Sequence, residues 1–200
     1  MRLRASATGR GPLRHGTSKL IRCLVVVLLL VPLTGCTQLI ERRSIKMYCE
    51  SPTGSIESAV VLMAQAVPSA TLVPCINVYP AGWSLGSFDT RSRLAVITFD
   101  SDRGGIGALT VTFQATCTPR GTTLPSDEVG APNLRQEDHD PLGSRYRATR
   151  YYPFPGGCMM FAFDFPRGSG STLTTDSALM VHLKPRAAIE AELAKLGLEL

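Results

Sequence analysis

The chain has 200 residues, 44% of them hydrophobic, with 21 Lys and Arg against 16 Asp and Glu for a formal charge of +5. Six of those bases and none of the acids precede Cys36, so residues 36–200 hold 15 bases against 16 acids. The excess positive charge therefore belongs to the first segment alone and gives no support to nucleic-acid binding, which needs a basic face on the folded domain.

In that first segment Arg2, Arg4, Arg10, Arg14, Lys19 and Arg22 precede an apolar core from Leu24 to Leu33, and small residues follow. This is the layout of a secretory signal. The core is too short to span a bilayer, which takes about 20 apolar residues, and Pro32 near its end breaks a helix there. Leu33-Thr34-Gly35-Cys36 resembles the lipobox of bacterial lipoproteins: an aliphatic residue, a small one, Gly or Ala, then Cys. The resemblance implies a diacylglyceryl group on the Cys36 thiol and cleavage just before it. Residues 1–35 are then a signal peptide, 36–47 a lipidated tether and 48–200 one extracytoplasmic domain. Fully extended, the stretch from Cys36 to Cys49 reaches roughly 40 Å, which keeps the domain near the membrane. Two acyl chains suffice for stable anchoring where one does not. The competing reading, an uncleaved amino-terminal membrane helix, also leaves the rest of the chain outside the cytoplasm.

Past the tether, Ser55–Val67 places Ile56, Ala59, Val60, Met63 and Val67 at helical spacing, and Pro68 ends the helix. Met63 on this stripe reads as core. An extended segment broken by prolines leads to a first strand at Trp83–Phe88. Leu94–Asp100 and Ala108–Cys117, rich in β-branched and aromatic residues, read as a hairpin pair. A polar loop follows from Thr118 to Gly143, then strands at Arg145–Phe154 and Cys158–Phe165 joined by Pro155-Gly156-Gly157. A short helix is expected at Asp176–Leu183. A last one starts at Pro185, with Ile189, Leu193, Leu196 and Leu200 on one face. The fold class is α+β: about five mainly antiparallel strands, covered by an N-terminal helix and two C-terminal helices.

Without Cys23 and Cys36, four cysteines remain: Cys49, Cys75, Cys117 and Cys158. An even number in an exported domain reads as two disulfides. Three pairings are possible and spacing alone does not choose. Cys49 with Cys75, bracketing one helix, and Cys117 with Cys158, near two strand ends, is the favoured set. No close C-x-x-C spacing suggests zinc or redox chemistry.

Each candidate site has a plainer reading beside it. Ser101–Gly107, "SDRGGIG", lacks the following helix that a phosphate loop needs and reads as a hairpin turn. Asp100 and Asp102 begin like a calcium loop, but Arg103 and Gly104 stand where a further oxygen ligand is due. Glu137, Asp138, His139 and Asp140 gather carboxylates around an imidazole, a setting for acid–base or metal chemistry; such a cluster is more often a solvated loop. His182 lies in an apolar helical stretch and reads as structural, and the serines of "RGSGS" as a flexible turn. No G-x-S-x-G is present. On a strand, Arg145 and Arg147 share a face with Tyr151, while Arg150 points the other way beside Tyr146 and Tyr152. Paired Arg and Tyr suit anionic or sugar groups; a solvent face decorated with arginine is the plainer reading. Trp83 is a candidate platform but more often a core anchor.

"AQAVPSATLVPC", "AGW", "SDRGG" and "YYPFPGGC", spread over Gln65 to Phe165, are similar to cell-envelope proteins of actinobacteria, a resemblance that implies an extracytoplasmic, disulfide-paired domain and no activity. Seventeen Arg against four Lys fit a high-GC genome. The expectation is a lipid-anchored, non-enzymatic binding or accessory module on the outer face of the cytoplasmic membrane. It contacts an envelope protein or an anionic envelope polymer, with no nucleic acid, cofactor, metal or assigned catalytic residue. The alternative is an envelope hydrolase with its site around His139.

Overall fold

Period-two alternation of apolar side chains builds the larger part of the molecule. The computed structural model describes residues 45–50 and 56–200. The predicted signal peptide, Cys36, the tether through residue 44 and Ser55 lie outside the described residues. In chain order the elements are α1 (Ser58–Ala66), β1 (Leu72–Ile76), β2 (Trp83–Arg91), β3 (Leu94–Ser101), β4 (Gly105–Gln114), β5 (Thr122–Pro125), β6 (Asn133–Asp138), β7 (Arg145–Phe154), β8 (Gly157–Pro166), a 3-10 turn (Arg167–Ser169), α2 (Gly170–Met180), β9 (Val181–Pro185) and α3 (Arg186–Lys195). None of these helices is long and apolar enough to cross a membrane.

Seven strands form one antiparallel sheet in the order β2-β3-β4-β8-β7-β6-β5, and β1 pairs with β9 in a separate two-stranded ribbon. The sheet buries one face. Ala95, Ile97 and Phe99 of β3 stand opposite Phe113, Val111 and Leu109 of β4, which in turn face Met159, Phe161 and Phe163 of β8. Tyr146 stacks on Phe165 and Tyr152 packs at an angle on Phe161, both at 5.2 Å between ring centroids. Over this face lie α1, the β1–β9 ribbon and α2, whose Val60, Met63, Val73, Ile76, Leu173 and Met180 join the same apolar cluster. The opposite face shows Val96, Thr98, Thr110, Thr112, Met160 and Ala162 half-buried or exposed.

The covering layer is locked where α1 ends, because the last carbonyls of a helix have no partner within it. The Arg186 guanidinium supplies three: Nη2 donates to the carbonyls of Ala64 and Val67 at 2.6 and 2.7 Å, and Nε to that of Ala70 at 2.6 Å. The backbone N–H of Arg93, a residue held at φ 67° in the β2–β3 turn, takes the Ala66 carbonyl at 2.7 Å. Burial lowers the Arg186 pKa from its ordinary value, with Glu190 opposing the shift. The disulfide Cys49–Cys75 ties the segment before α1 to the ribbon strand β1.

Both disulfides join the cysteines favoured from the sequence, and the second solves a topological problem. From β4 the chain must pass β8, β7 and β6 to reach β5, four strand spacings or roughly 19 Å. Seven residues, 115–121, do this, with a reach of about 23 Å, so the crossing is short and nearly straight. Cys158 shares its sheet face with Met160 and Tyr151, so the Cys117–Cys158 bond pins the crossing to the outer face. Cys158 and Tyr151 are buried while Met160 and Ala162 beside them are not. At its far end the Gly121 carbonyl accepts Arg135 Nη2 at 2.7 Å, and a Cβ at Gly121, whose φ is +82°, would lie 1.8 Å from the Gln136 carbonyl oxygen.

The α+β class and the large antiparallel sheet are as expected, but the main sheet has seven strands, not about five. β5 (TTLP) and β6 (NLRQED) lie inside the stretch read as a polar loop; with one buried residue between them, Leu134, neither shows alternation. β1 is buried throughout and contains Pro74, so it carries neither period. The helix expected at Asp176–Leu183 is displaced: α2 runs from Gly170 to Met180 and the chain then extends as β9. Its first half, GSTLTT, has poor helix propensity but returns side-chain bonds to preceding carbonyls, Thr174 Oγ1 to Gly170 and Thr175 Oγ1 to Ser171. The "RGSGS" serines accordingly belong to the 3-10 turn and the start of α2, not to a flexible turn. In α3, Ile189 and Leu193 are buried, but Leu196 is exposed, because the helix ends at Lys195; Leu200, past the helix, is half-buried against the core.

Replacing Arg186 with Met is expected to cost about 2–3 kcal/mol in urea unfolding, since three carbonyls lose a charged donor. Arg186→Lys should recover only part, a single ammonium being unable to span them; an unchanged midpoint in both would show that the cap is idle. The double variant Cys117→Ser/Cys158→Ser should lose about 2–4 kcal/mol. Its hydrogen exchange should rise first in β5 and β6, and uniform loosening of the sheet would contradict the pinned crossing.

Candidate functional site

The arginine-rich strand β7 divides its side chains between two faces as expected. Arg145 and Arg147 point outward, where both guanidinium groups meet one carboxylate, Asp164 of β8; Arg147 Nε lies 3.4 Å from Oδ1, and Arg145 makes the closer bond. Tyr151 shares that face but lies beneath the 115–121 crossing, donating to Glu137 Oε2 at 3.1 Å. The structure therefore brings Arg145 and Arg147 together and separates Tyr151 from them. Trp83 is buried, and its Nε1 donates to Asp176 Oδ2 at 3.1 Å, the same oxygen that receives Arg103 Nη2 at 2.6 Å. One α2 carboxylate thus holds the start of β2 and the β3–β4 turn. That turn is a hairpin, with Ser101 Oγ accepting the N–H groups of Arg103 and Gly104 and Asp100 Oδ1 that of Gly107. Near Trp83, burial pushes the Tyr79 hydroxyl up to about 12, helped by Tyr48.

The acidic cluster around His139 is dispersed by strand geometry. Glu137 and Asp138 end β6, and alternate side chains turn to opposite faces. Glu137 receives Tyr151 and Asp138 Oδ1 receives Gln136 Nε2, while His139 Nε2 pairs with Thr149 Oγ1 at 2.8 Å. Among the described residues no group of three or more His, Cys, Asp or Glu stands close enough to hold a metal.

A more concave site lies on the inner side of the sheet, where the covering layer does not reach β5 and β6. It is a cavity of about 400 Å³. One wall is Leu124, Leu134, Arg150 and Tyr152 from β5, β6 and β7; the other is Thr175, Ala178 and Leu179 from α2, and the turn at Ser126–Glu128 and His182 of β9 close one end. His182 sits on a strand, not in the apolar helix expected for it. The Glu128 carboxylate spans two partners, receiving His182 Nδ1 on Oε1 and the Leu183 N–H on Oε2, both at 3.0 Å. Burial pushes Glu128 above the ordinary carboxylate range, against the opposing pull of His182 and the Leu183 N–H. The Ser126 hydroxyl accepts the Glu128 N–H at 3.1 Å and shapes the turn.

Arg150 is half-buried in the opposite part of the cavity. Its Nε donates to Gln136 Oε1 at 2.8 Å, and its guanidinium lies 5.4 Å from the Phe163 ring centroid. No carboxylate among the described residues lies within ion-pairing distance of it. Tyr152 stands between the two charged groups: burial raises its pKa most, Arg150 lowers it and Glu128 raises it. Sequence reading placed Arg150 correctly beside Tyr146 and Tyr152 but missed the cavity. Glu128 lies in a turn and His182 more than fifty residues on, and no spacing rule links them.

Asp164 gives the outer face a pH signature. The hydrogen bond from Arg145 is the main cause holding its carboxyl below the ordinary value. A depressed folded pKa stabilises fully above the unfolded value, near pH 4, and the contribution is lost as pH falls through the lowered one. Asp164→Asn should flatten the acid limb of stability below about pH 4 and cost no more than about 1 kcal/mol at pH 7, both groups being largely solvated. An acid limb identical to that of the unmodified protein would remove this role. No family model matches the sequence, and comparison with curated proteins and with solved structures found no match.

Proposed function

We propose that this chain is a membrane-anchored, extracytoplasmic binding module of the cell envelope, and that its ligand enters the cavity between β5–β7, α2 and β9. Three features support the reading from different directions. The Leu33–Cys36 motif resembles a lipobox and supplies the anchor. Two disulfides suit an oxidising compartment. The cavity carries the binding function: its size is that of a small-molecule pocket, with apolar walls and a few convergent polar groups. Its polar groups are a guanidinium with no carboxylate among the described residues within ion-pairing distance and a carboxylate–imidazole pair already satisfied, an arrangement that suits a ligand. The arginine pair on the outer face is a lesser candidate for an anionic polymer, since Asp164 already neutralises half of its charge.

Two measurements test the parts separately. Unreduced protein extracted from membranes should show Cys36 as an acylated first residue and four paired cysteines by intact mass and peptide mapping, and Cys36→Ala should move the protein to the soluble fraction. An intact leader or free thiols would end the anchored reading. In a thermal-shift screen of small amphipathic compounds, at least one should stabilise the protein, and Leu179→Trp, which fills the exposed lip of the cavity without adding charge, should abolish the shift. Stabilisation that persists in Leu179→Trp would move binding elsewhere.

A further inference from the structure

The unmatched charge inside the cavity is positive, and it names the class of ligand. Asp127 is exposed at the rim and solvated. Glu128 is occupied twice, by the His182 imidazole and by the Leu183 N–H. Arg150, by contrast, is half-buried, and its partners among the described residues are neutral: the Gln136 amide and the hydroxyls of Tyr146 and Tyr152. Removing a charge from water costs free energy that an aromatic face and neutral acceptors return only in part. An anionic group entering from solvent gives the guanidinium the paired hydrogen bonds it is shaped to make. Tyr152 lines the same cavity, and its hydroxyl can donate to it.

The remaining wall is apolar and accessible: Leu179 is 54% exposed and Leu124 36% exposed, and both line the one opening. A free inorganic anion would use Arg150 and leave that wall wet, whereas an uncharged hydrocarbon would leave Arg150 with neutral partners only. We infer that the cavity binds a small amphipathic anion, a carboxylate or phosphate monoester whose head group pairs with Arg150 and whose apolar body lies against Leu124, Leu134 and Leu179. This rests on the binding reading above and adds the chemistry of the ligand. The carboxylates at the far end set the orientation, since an anionic head placed beside Asp127 and Glu128 is repelled and one placed at Arg150 is not.

Gln136→Glu tests this without removing Arg150. Gln136 Oε1 already accepts Arg150 Nε, so a carboxylate there supplies an anionic partner in place and at nearly the same size; the second oxygen replaces the donor to Asp138 and repels that carboxylate, which is exposed and can turn into solvent. The probes are octanoate, octyl phosphate, octanol and octylammonium, titrated by calorimetry against the full anchored protein in a neutral detergent. Octanoate and octyl phosphate should bind the unmodified protein more tightly than octanol. Both should weaken by about tenfold or more in Gln136→Glu and in Arg150→Gln, with octanol unaffected by Gln136→Glu. The stronger of the two anions identifies an acyl carboxylate or a phosphate head as the preferred source. Preference for octylammonium, or anion binding unchanged in Gln136→Glu, overturns the assignment while leaving a binding module in place. Failure of all four probes to bind overturns the assignment too, and if in addition no compound of the thermal-shift screen stabilises the protein in a way that Leu179→Trp abolishes, the module itself is removed.

Discussion

One constraint governs the structure: the seven-stranded sheet is apolar on a single face, and that face must be covered by segments drawn from both ends of the domain. The aromatic rows of β4, β7 and β8 are too extensive for any one helix to hide. Cover comes from α1 before the sheet, from α2 after it, and from a ribbon in which β1 pairs with β9, more than a hundred residues apart. Such a layer has few local contacts to hold it, and its loose ends have to be satisfied from elsewhere in the chain. Arg186 does this at the junction, joining the start of α3 to the end of α1. It also donates its backbone N–H to Thr71, where the ribbon begins.

The two disulfides act on the two faces of the same sheet. Cys49–Cys75 secures the covering layer at the ribbon, while Cys117–Cys158 secures the crossing on the open side. The crossing lets strands β5 to β8 return as a simple meander toward β4, so every neighbouring pair is antiparallel. A short segment laid across three strands has little freedom, and the cross-link anchors it to the middle of the sheet and not to its margin.

The cavity follows from the same geometry. Seven strands are wider than the cover, and beyond α2 and β9 the inner surface of β5 to β7 stays open. Polar groups there are tolerated because each has a partner of some kind. Glu128 has an imidazole and an amide, and Arg150 has an aromatic ring, a side-chain amide and tyrosine hydroxyls that it pulls against the effect of burial. The difference between a carboxylate with charged and backbone donors and a guanidinium with neutral acceptors alone gives the cavity its polarity.

The sequence by itself determined the elements whose burial repeats with a clear period. The stripe Ala59, Val60, Met63 and Val67, the alternation Ala95, Ile97, Phe99, and the runs on β7 and β8 state their own secondary structure, since a half-buried strand or helix must show its face in the residue order. The even set of cysteines likewise announced two cross-links, and the alternation on β7 placed Arg150 beside Tyr146 and Tyr152. What only the tertiary structure decided were the elements that owe their form to neighbours. β5 and β6 are strands because β7 offers a hydrogen-bonding edge, not because their own residues are apolar. β9 is extended because β1 needs a partner, although "ALMVHL" reads as helix. The cavity belongs to this second group: His182, Glu128 and Arg150 line one space only after the β1–β9 pairing and the 115–121 crossing are in place. Interactions between residues so far apart in sequence leave no periodic mark on either one.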